Sequence, residues 1–543
     1  MLLLVFTVCW FYALDLRTLV PTDEGRYAEM AREMVASGDW ITTRLNGIKY
    51  FEKPPLQTWM NALTFELFGM GEWQARFWTG LCGFFGVLLT YRAGRCVFNQ
   101  RVGFLAALIL GSSFLWAALG HINTLDMGLS GMMTLALCSL LIAQRDGADA
   151  GQRRNWMLAC WTGMALAVLS KGLIGLVLPG AVLVIYSLLA NDFGIWKRLH
   201  IGKGLLLFFA ITAPWFVLVS IRNPEFPQFF FIHEHFQRFT SEVHHRTGRW
   251  YYFIPLLLLG IVPWLGVLLQ SLVASWRTDW HSARSGTFKP KRLLLIWAGF
   301  IFIFFSVSGS KLPSYILPIF PALALLIASY WETAGRKHWI LAAALMAATG
   351  AAGLFFVHRI VKIPDVPLEI PLYLAYEPWL TAAALAALVG GIGAFFPAQR
   401  GRGELAAVIL AISGFAGGQI LMLGHEPFGN YASGRPLVAA INAEATPATT
   451  LYAVGRLDHS LLFYLRRTMV MVENPDELEF GLKQQPELWL PTREAFIQQW
   501  VTGPKAVAVT SLKVFADLQR RGVPMRIIAR DGRRVVIASD IKP

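Results

Sequence analysis

The sequence predicts a mostly α-helical, polytopic membrane protein of about thirteen transmembrane helices, followed by a small α/β domain. Three observations carry this expectation. Of 543 residues, 55% are hydrophobic and only 15% charged, against about 25% charged in soluble domains. Apolar runs of span length recur in series up to about residue 424, and roughly 20 apolar residues suffice to cross a bilayer. Beyond that point the apolar runs shorten to strand length and alternate with amphipathic stretches.

The expected spans lie near 1–20, 73–95, 102–120, 122–144, 156–171, 172–190, 204–222, 251–275, 292–309, 312–330, 338–358, 376–397 and 404–424. Every second connector between them is basic, and this set, counted with the charges at the adjoining span ends, carries 18 Lys and Arg against 6 Asp and Glu. Cytoplasmic loops collect Lys and Arg, so these connectors are assigned to the cytoplasm. The N-terminus then starts inside and the C-terminus ends outside. The first apolar run lacks the basic lead and small-residue cleavage site of a secretory signal. It also lacks a cytoplasmic lead, as a chain short of a few N-terminal residues would.

The formal net charge is +14. Part of this excess is topological, and the remainder suits an anionic substrate. The five cysteines lie in or beside apolar segments, without the spacing of a zinc site or a disulfide framework. The chain shows no 20–50-residue repeat. It also lacks a matched pair of broken helices in two halves, which counts against a transporter built from inverted repeats.

The first outer segment, about 21–72, opens with PTDEGRYAEMAREMVASGDW. Tyr27, Met30, Ala31, Met34 and Val35 recur at helical spacing, with Arg26, Glu29, Arg32 and Glu33 on the other side. That pattern predicts an amphipathic helix lying in the membrane interface. Asp23 and Glu24 at its start either cap the helix or serve as acids at a site. In YFEKPPLQTW the two prolines hold Glu52 and Lys53 extended, where they pair with each other or face a metal and a phosphate.

Asp126 in HINTLDMG sits at the start of the fourth span, where an ionisable group marks a functional site by default. Lys171 in LSKG and Lys311 in GSKLPSY are further outer-face cations. The second outer segment, about 222–250, is the densest polar cluster, with His233, His235, Arg238 and a run of further His, Arg and Glu. His233 with a carboxylate such as Glu52 is a candidate cation site. Arg238 is a candidate phosphate ligand, because guanidinium matches phosphate oxygens bidentately.

From about residue 425, strands are predicted at 451–455, 468–472, 505–510 and 525–528, with helices at 460–466, 475–483, 493–501 and 511–521. The chain is thus divided into a membrane domain, 1–424, and an outer α/β domain, 425–543. The tail carries no glycine-rich phosphate loop, and no nucleotide cofactor or nucleic-acid partner is expected.

The stretches PTDEGRYAEMA, YFEKPPL, HINTLDMG, LSKGLIG, EHFQRFT, EVHHRTGRWYY and SGSKLPSYILPIFPALALL, in this order, resemble the GT-C glycosyltransferases. Within them the chain is most similar to bacterial 4-amino-4-deoxy-L-arabinose lipid A transferases, cousins of the protein O-mannosyltransferases. The resemblance implies transfer of an aminosugar, with inversion, from an undecaprenyl phosphate carrier to lipid A on the periplasmic face of the inner membrane. Such a modification confers resistance to cationic antimicrobial peptides. It implies catalytic roles for Asp23 and Asp126 and a carrier-phosphate pocket of Arg26, Tyr50, Lys53, Arg238 and Tyr315. A divalent metal such as zinc is implied at Glu52 and His233. Lys171, Lys311 and His235 are secondary candidates, and a monomer is expected. The competing expectations are a GT-C enzyme with another sugar or a protein acceptor, and a lipid transporter.

Overall fold

The computed structural model describes residues 2–237, 248–280, 288–360 and 369–539. The chain divides into two compact units. The first comprises 1–13, 78–362 and 377–424; the second comprises 14–77, 363–376 and 425–543. A single boundary at 424/425 does not reproduce this division, because the first outer segment falls in the same unit as the α/β tail.

The first unit is helical. Seven described helices are long and apolar enough to cross a membrane: Leu125–Gln144, Ile201–Arg222, Pro290–Val307, Pro313–Thr333, Arg336–Ile360, Ile370–Gln399 and Gly403–Ser433. The pair Phe253–Gly260 and Leu265–Thr278, bent by 108°, is an eighth if counted as one broken span. This is fewer than the thirteen expected, although helix occupies every expected position. Leu3–Tyr12, Gln100–Ser112 and Ile174–Ala190 are apolar but short. Even the 17 residues of Ile174–Ala190 rise only about 26 Å, less than a hydrocarbon core of about 30 Å. The run at 102–120 breaks at Ser113, whose backbone is extended. Glu72–Val97 and Ala150–Lys171 are long enough but carry charged residues at their ends.

Close helix approach at small residues holds the unit together. A Cβ at Gly163 would lie 2.6 Å from the Ala136 main-chain nitrogen, and one at Gly350 would lie 2.3 Å from that of Leu388. The core closes around fully buried Trp10, Trp116, Trp264, Trp297 and Trp331.

The second unit joins the first outer segment to the tail. Asp23–Ser37 is a helix, as the apolar spacing predicts. It is not an interfacial helix with a wet charged face, however, because every residue from Glu24 to Met34 is buried. Its charged side chains are matched to one another inside the protein. Arg32 donates twice to Glu29, at 2.6 Å each, and Glu33 accepts from the Gly47 amide at 2.8 Å. One face of the helix packs with Leu19, Ala62, Phe65 and Phe463. Nearby, the helix approaches helix His459–Leu465 so closely that a Cβ on Gly25 would lie 2.4 Å from the Ser460 nitrogen.

A two-stranded hairpin follows, β1 (Arg44–Leu45) and β2 (Ile48–Lys49). Asn46 and Gly47 both adopt positive φ, 58° and 76°, the requirement of a tight primed turn. The tail forms a six-stranded sheet from β3 (Thr450–Val454), β4 (Val470–Val472), β5 (Trp489–Leu490), β6 (Ala506–Ser511), β7 (Arg526–Arg530) and β8 (Arg534–Ala538), in the order β5-β4-β3-β6-β8-β7. Pairings from β5 to β6 are parallel, and β8 is antiparallel to both neighbours. The four predicted strands and four predicted helices are present. Two strands go beyond the sequence reading: short β5, and β8, whose five residues are all buried.

Candidate functional site

The candidate residues fall into two groups, one in each unit. Asp23, Arg26, Tyr50, Glu52 and Lys53 belong to the second unit, and Asp126, Lys171, Lys311 and Tyr315 to the first.

In the second unit Asp23 opens its helix, with its side chain 39% exposed. Arg26, one turn on, donates to Asp23 Oδ1 at 3.1 Å. Its Nε lies 2.7 Å from Oε1 of Glu477, a residue of the α/β tail. Arg26 therefore bridges an acid from the first outer segment to an acid more than four hundred positions away. Burial opposes the Arg26 charge, but Tyr50, Glu477, Tyr27 and Asp23 around it raise its pKa well above the ordinary value. Glu477 feels the opposite balance. Burial, together with the neighbouring carboxylates of Glu52, Asp476 and Asp23, pushes it up to about 7 although Arg26 pulls it down.

Tyr50 lies beside this pair and is 2% exposed. Its hydroxyl is buried and has no hydrogen-bond partner among the described residues. A buried hydroxyl left in this state costs free energy unless a ligand or water satisfies it. Tyr50 is placed by the hairpin: its amide donates to the Thr43 carbonyl at 2.9 Å, and the Thr43 hydroxyl donates back at 2.5 Å. Lys53 Nζ donates to the Glu52 carbonyl at 2.9 Å and lies 3.8 Å from its carboxylate.

Two supports hold these groups, and neither was singled out from the sequence. Beneath Asp23, Arg76 is fully buried and donates to both Glu24 oxygens, at 2.6 and 2.9 Å. It also donates to the carbonyls of Leu14, Arg17 and Thr18. Burial disfavours the Glu24 charge, but Arg76 prevails and holds the carboxyl at about 2. An arginine within an expected span was the available signal.

The second support joins the hairpin to the tail. The Asn46 side chain donates to the Met469 carbonyl at 2.8 Å and accepts from the Met469 amide at 2.7 Å. Gln485 accepts from the Lys49 amide at 3.0 Å and donates to the Gly47 carbonyl at 3.1 Å. These four bonds register Tyr50 against the segment that carries Glu477. The Asn-Gly dipeptide in RLNGIKY was a legible turn signal; its tail partners were not.

In the first unit Asp126 is the second residue of helix Leu125–Gln144 and is buried. One carboxylate oxygen accepts from Lys171, and the other accepts from the Ser314 hydroxyl at 2.9 Å. The Lys171 ammonium also lies 4.7 Å from the centre of the Tyr315 ring. Asp126, Lys171 and Tyr315 thus converge. Lys311 does not join them through its ammonium, which donates to the carbonyls of Phe305, Ser306 and Ser308 at 3.2, 2.8 and 2.9 Å. It closes the C-terminal end of helix Pro290–Val307 and anchors the loop leading to Ser314.

Arg238 lies outside the described residues, as do the side chains of His233 and His235. Among the described residues no group of three or more His, Cys, Asp and Glu is arranged to hold a metal ion. Glu52, the described half of the expected metal pair, contacts Lys53. The described residues alone therefore do not make up a coordination set.

Comparison with known proteins adds six findings. Residues 437–539 match the aminoarabinose transferase C-terminal domain, and residues 52–218 match the dolichyl-phosphate-mannose-protein mannosyltransferase family. A relative from Proteus mirabilis (strain HI4320), the undecaprenyl phosphate-α-4-amino-4-deoxy-L-arabinose arabinosyl transferase 2, is 32% identical over 69% of this chain and 67% of its own. The corresponding transferase of Edwardsiella ictaluri (strain 93-146) is 36% identical over 61% of this chain and 58% of its own. These alignments thus span about three-fifths to two-thirds of the curated relatives. The crystal structure of ArnT from Cupriavidus metallidurans bound to undecaprenyl phosphate superposes over 99% of this chain and 97% of its own, with a TM-score of 0.93 and 41% identity. An archaeal oligosaccharyltransferase from Archaeoglobus fulgidus shares the fold alone, at 12% identity and a TM-score of 0.51 over 94% of this chain and 69% of its own.

Proposed function

The chain belongs to the bacterial aminoarabinose arabinosyl transferases of the GT-C class, and from that membership we propose that it transfers 4-amino-4-deoxy-L-arabinose from undecaprenyl phosphate to a phosphate of lipid A. The reaction takes place at the periplasmic face of the inner membrane. The α/β tail and the first outer segment lie on that face, and the short or charged helices complete a thirteen-crossing topology.

One observation carries the reading: the bridge from Asp23 through Arg26 to Glu477, with the Tyr50 hydroxyl, unpartnered among the described residues, beside it. The donor is a zwitterion, with an ammonium on its sugar and an anionic phosphate at its anomeric carbon. Such a ligand needs carboxylates and cations within one pocket. Asp23 and Glu477 supply the first, Arg26 and Lys53 the second, and Tyr50 a hydroxyl free to bond sugar or phosphate. Arg26 already faces two carboxylates, so it orients them as much as it binds phosphate. Lys53 meets the charge that develops on the departing carrier phosphate, a role the family resemblance also implies for Arg238.

Transfer is a single displacement: an acceptor oxygen bonds to the anomeric carbon as the carrier phosphate leaves, and the configuration inverts. A lipid A phosphate is already anionic near neutral pH. Asp23 therefore positions donor and acceptor rather than acting as an obligatory base. The family resemblance implies a role in the reaction for Asp126 as well, which Lys171 and Ser314 hold. No step depends on the divalent ion implied at Glu52 and His233.

Mass spectrometry of lipid A from cells with and without the protein tests this. The expected result is one added aminopentose per modified phosphate, with raised resistance to cationic peptides. The match of residues 52–218 to a protein mannosyltransferase family favours one alternative, a protein acceptor. Unmodified lipid A alongside a glycosylated periplasmic protein establishes that alternative instead.

A further inference from the structure

We propose that the first unit carries a second lipid site, for the headgroup of an anionic phospholipid, at its cytoplasmic rim. A cavity of about 450 Å³ opens there, lined by Arg101, Trp331, Glu332, Trp339, Arg402 and Glu404 among others. Its basic connectors belong to the set that the charge alternation assigns to the cytoplasm, whereas Asp126 and Lys171 belong to outer connectors. The site is therefore distinct from that of the proposed transfer; its side of the membrane rests on the proposed thirteen-crossing topology, not on the reaction.

The walls are rigid. The Trp331 indole donates to the Gly403 carbonyl at 3.1 Å, and the Trp339 indole donates to the Trp331 carbonyl at 3.2 Å. The two rings stack, 6.2 Å between centroids. A Cβ on Gly403 would lie 2.5 Å from the Trp339 ring, so a larger residue would displace that wall. Tryptophan at the interface presents an apolar face to acyl chains and a polar edge to headgroups.

The charges do not cancel. Arg101 lies 3.3 Å from Glu404, and Glu332 accepts from Asn99 at 2.9 Å on both oxygens. Glu404 is thus paired, while Glu332 keeps its charge beside a neutral amide, so Arg101, Arg336 and Arg402 outnumber the acids by one. Arg402 on the cavity wall and Arg336 at its edge, 3.2 Å from the position a Gly401 Cβ would occupy, have no ion-pair partner among the described residues. Two uncommitted guanidiniums beside a tryptophan wall, between helix ends, match a phosphodiester bearing acyl chains. Lys and Arg that served only to orient the chain would need no cavity between them.

The test is native mass spectrometry of the full-length protein in neutral detergent, titrated with phosphatidylglycerol, phosphatidylcholine or inorganic phosphate. Wild type is expected to retain one phosphatidylglycerol and neither of the other two. The double variant Arg336→Gln/Arg402→Gln should bind it about tenfold more weakly or worse, because each basic side chain near the surface contributes roughly 1 kcal/mol. A charge-matched control, Arg277→Gln/Lys291→Gln on another cytoplasmic connector, should bind as wild type does, and so should Lys53→Ala. Equal retention in the double variant, equal loss in either control, or equal binding of phosphatidylcholine or free phosphate overturns the proposal.

Discussion

Arg76 and Glu24 form an ion pair at 2.6 Å in which neither side chain is exposed. The pair sits directly beneath Asp23 and gathers the carbonyls of Leu14, Arg17 and Thr18 around one guanidinium. Replacing Arg76 by Met removes the cation that bonds both Glu24 oxygens and leaves the Coulombic pull of Arg17. The expected cost is about 3–5 kcal/mol, the range for breaking a buried pair from one side. Thermal unfolding in detergent measures it. The double variant Glu24→Gln/Arg76→Met should recover part of the loss. Because the folded pKa of Glu24 is depressed to about 2, its stabilisation is present above the usual carboxylate range. It fades as pH falls through that range toward 2.

Glu477 is shifted the other way, up to about 7. The folded protein holds a proton that the unfolded chain releases near pH 4.5, so this group's contribution to stability falls as pH rises from about 4.5 to 7 and then levels off. Glu477→Gln should flatten that slope. If the carboxylate receives the donor's ammonium, transfer in wild type rises through pH 7 as Glu477 ionises. The Gln variant should lose that limb and fall about tenfold or more in rate. A pH profile of lipid A modification, wild type against variant, reads both effects.

Asn46 should act through Tyr50. Asn46→Gly keeps the positive φ that the turn requires but deletes both bonds to Met469, at an expected cost of about 1–2 kcal/mol. The apparent KM for donor should rise with little change for acceptor. Asn46→Ala, strained in the left-handed region, should be worse. Unchanged kinetics in both variants would separate the hairpin from the site.

For Asp126, the decisive comparison is between removal and exchange. Asp126→Asn and Lys171→Met are each expected to lower transfer about a hundredfold or more. The exchange Asp126→Lys/Lys171→Asp restores opposite charges in the same place. Recovery of stability without recovery of transfer marks the aspartate as chemical; recovery of both marks the pair as structural.

Much of this architecture was legible from residues alone, and the failures have physical causes. The spacing of Tyr27, Met30, Ala31, Met34 and Val35 located the Asp23–Ser37 helix. Amphipathic spacing says that a helix has a polar face, though, not that the face is wet. Arg32 and Glu29 satisfy each other inside the protein, so the interfacial expectation failed. Periodicity located the strands around β3 and β6, which have apolar runs bounded by turns. It missed β5, two residues long, and β8, whose Arg534 hides a buried strand behind a charge neutralised by Asp458 and Asp531. Asp126 and Lys171 were recognisable as outer-face charges, but Ser314 as a partner was not. Glu477 had no local signal, because its role exists only through contact with Arg26.

The Asn46–Met469 bridge spans 423 positions, which sets a schedule for biogenesis. At roughly 5–20 residues per second, the ribosome needs about 20–85 seconds between making the two ends of that bridge. Through this interval the newly exported hairpin has no tail to dock on, and its buried-to-be acids stand in water. Translocation must therefore deliver the last segment before the first can mature, which makes this stretch a natural client for periplasmic chaperones and proteases.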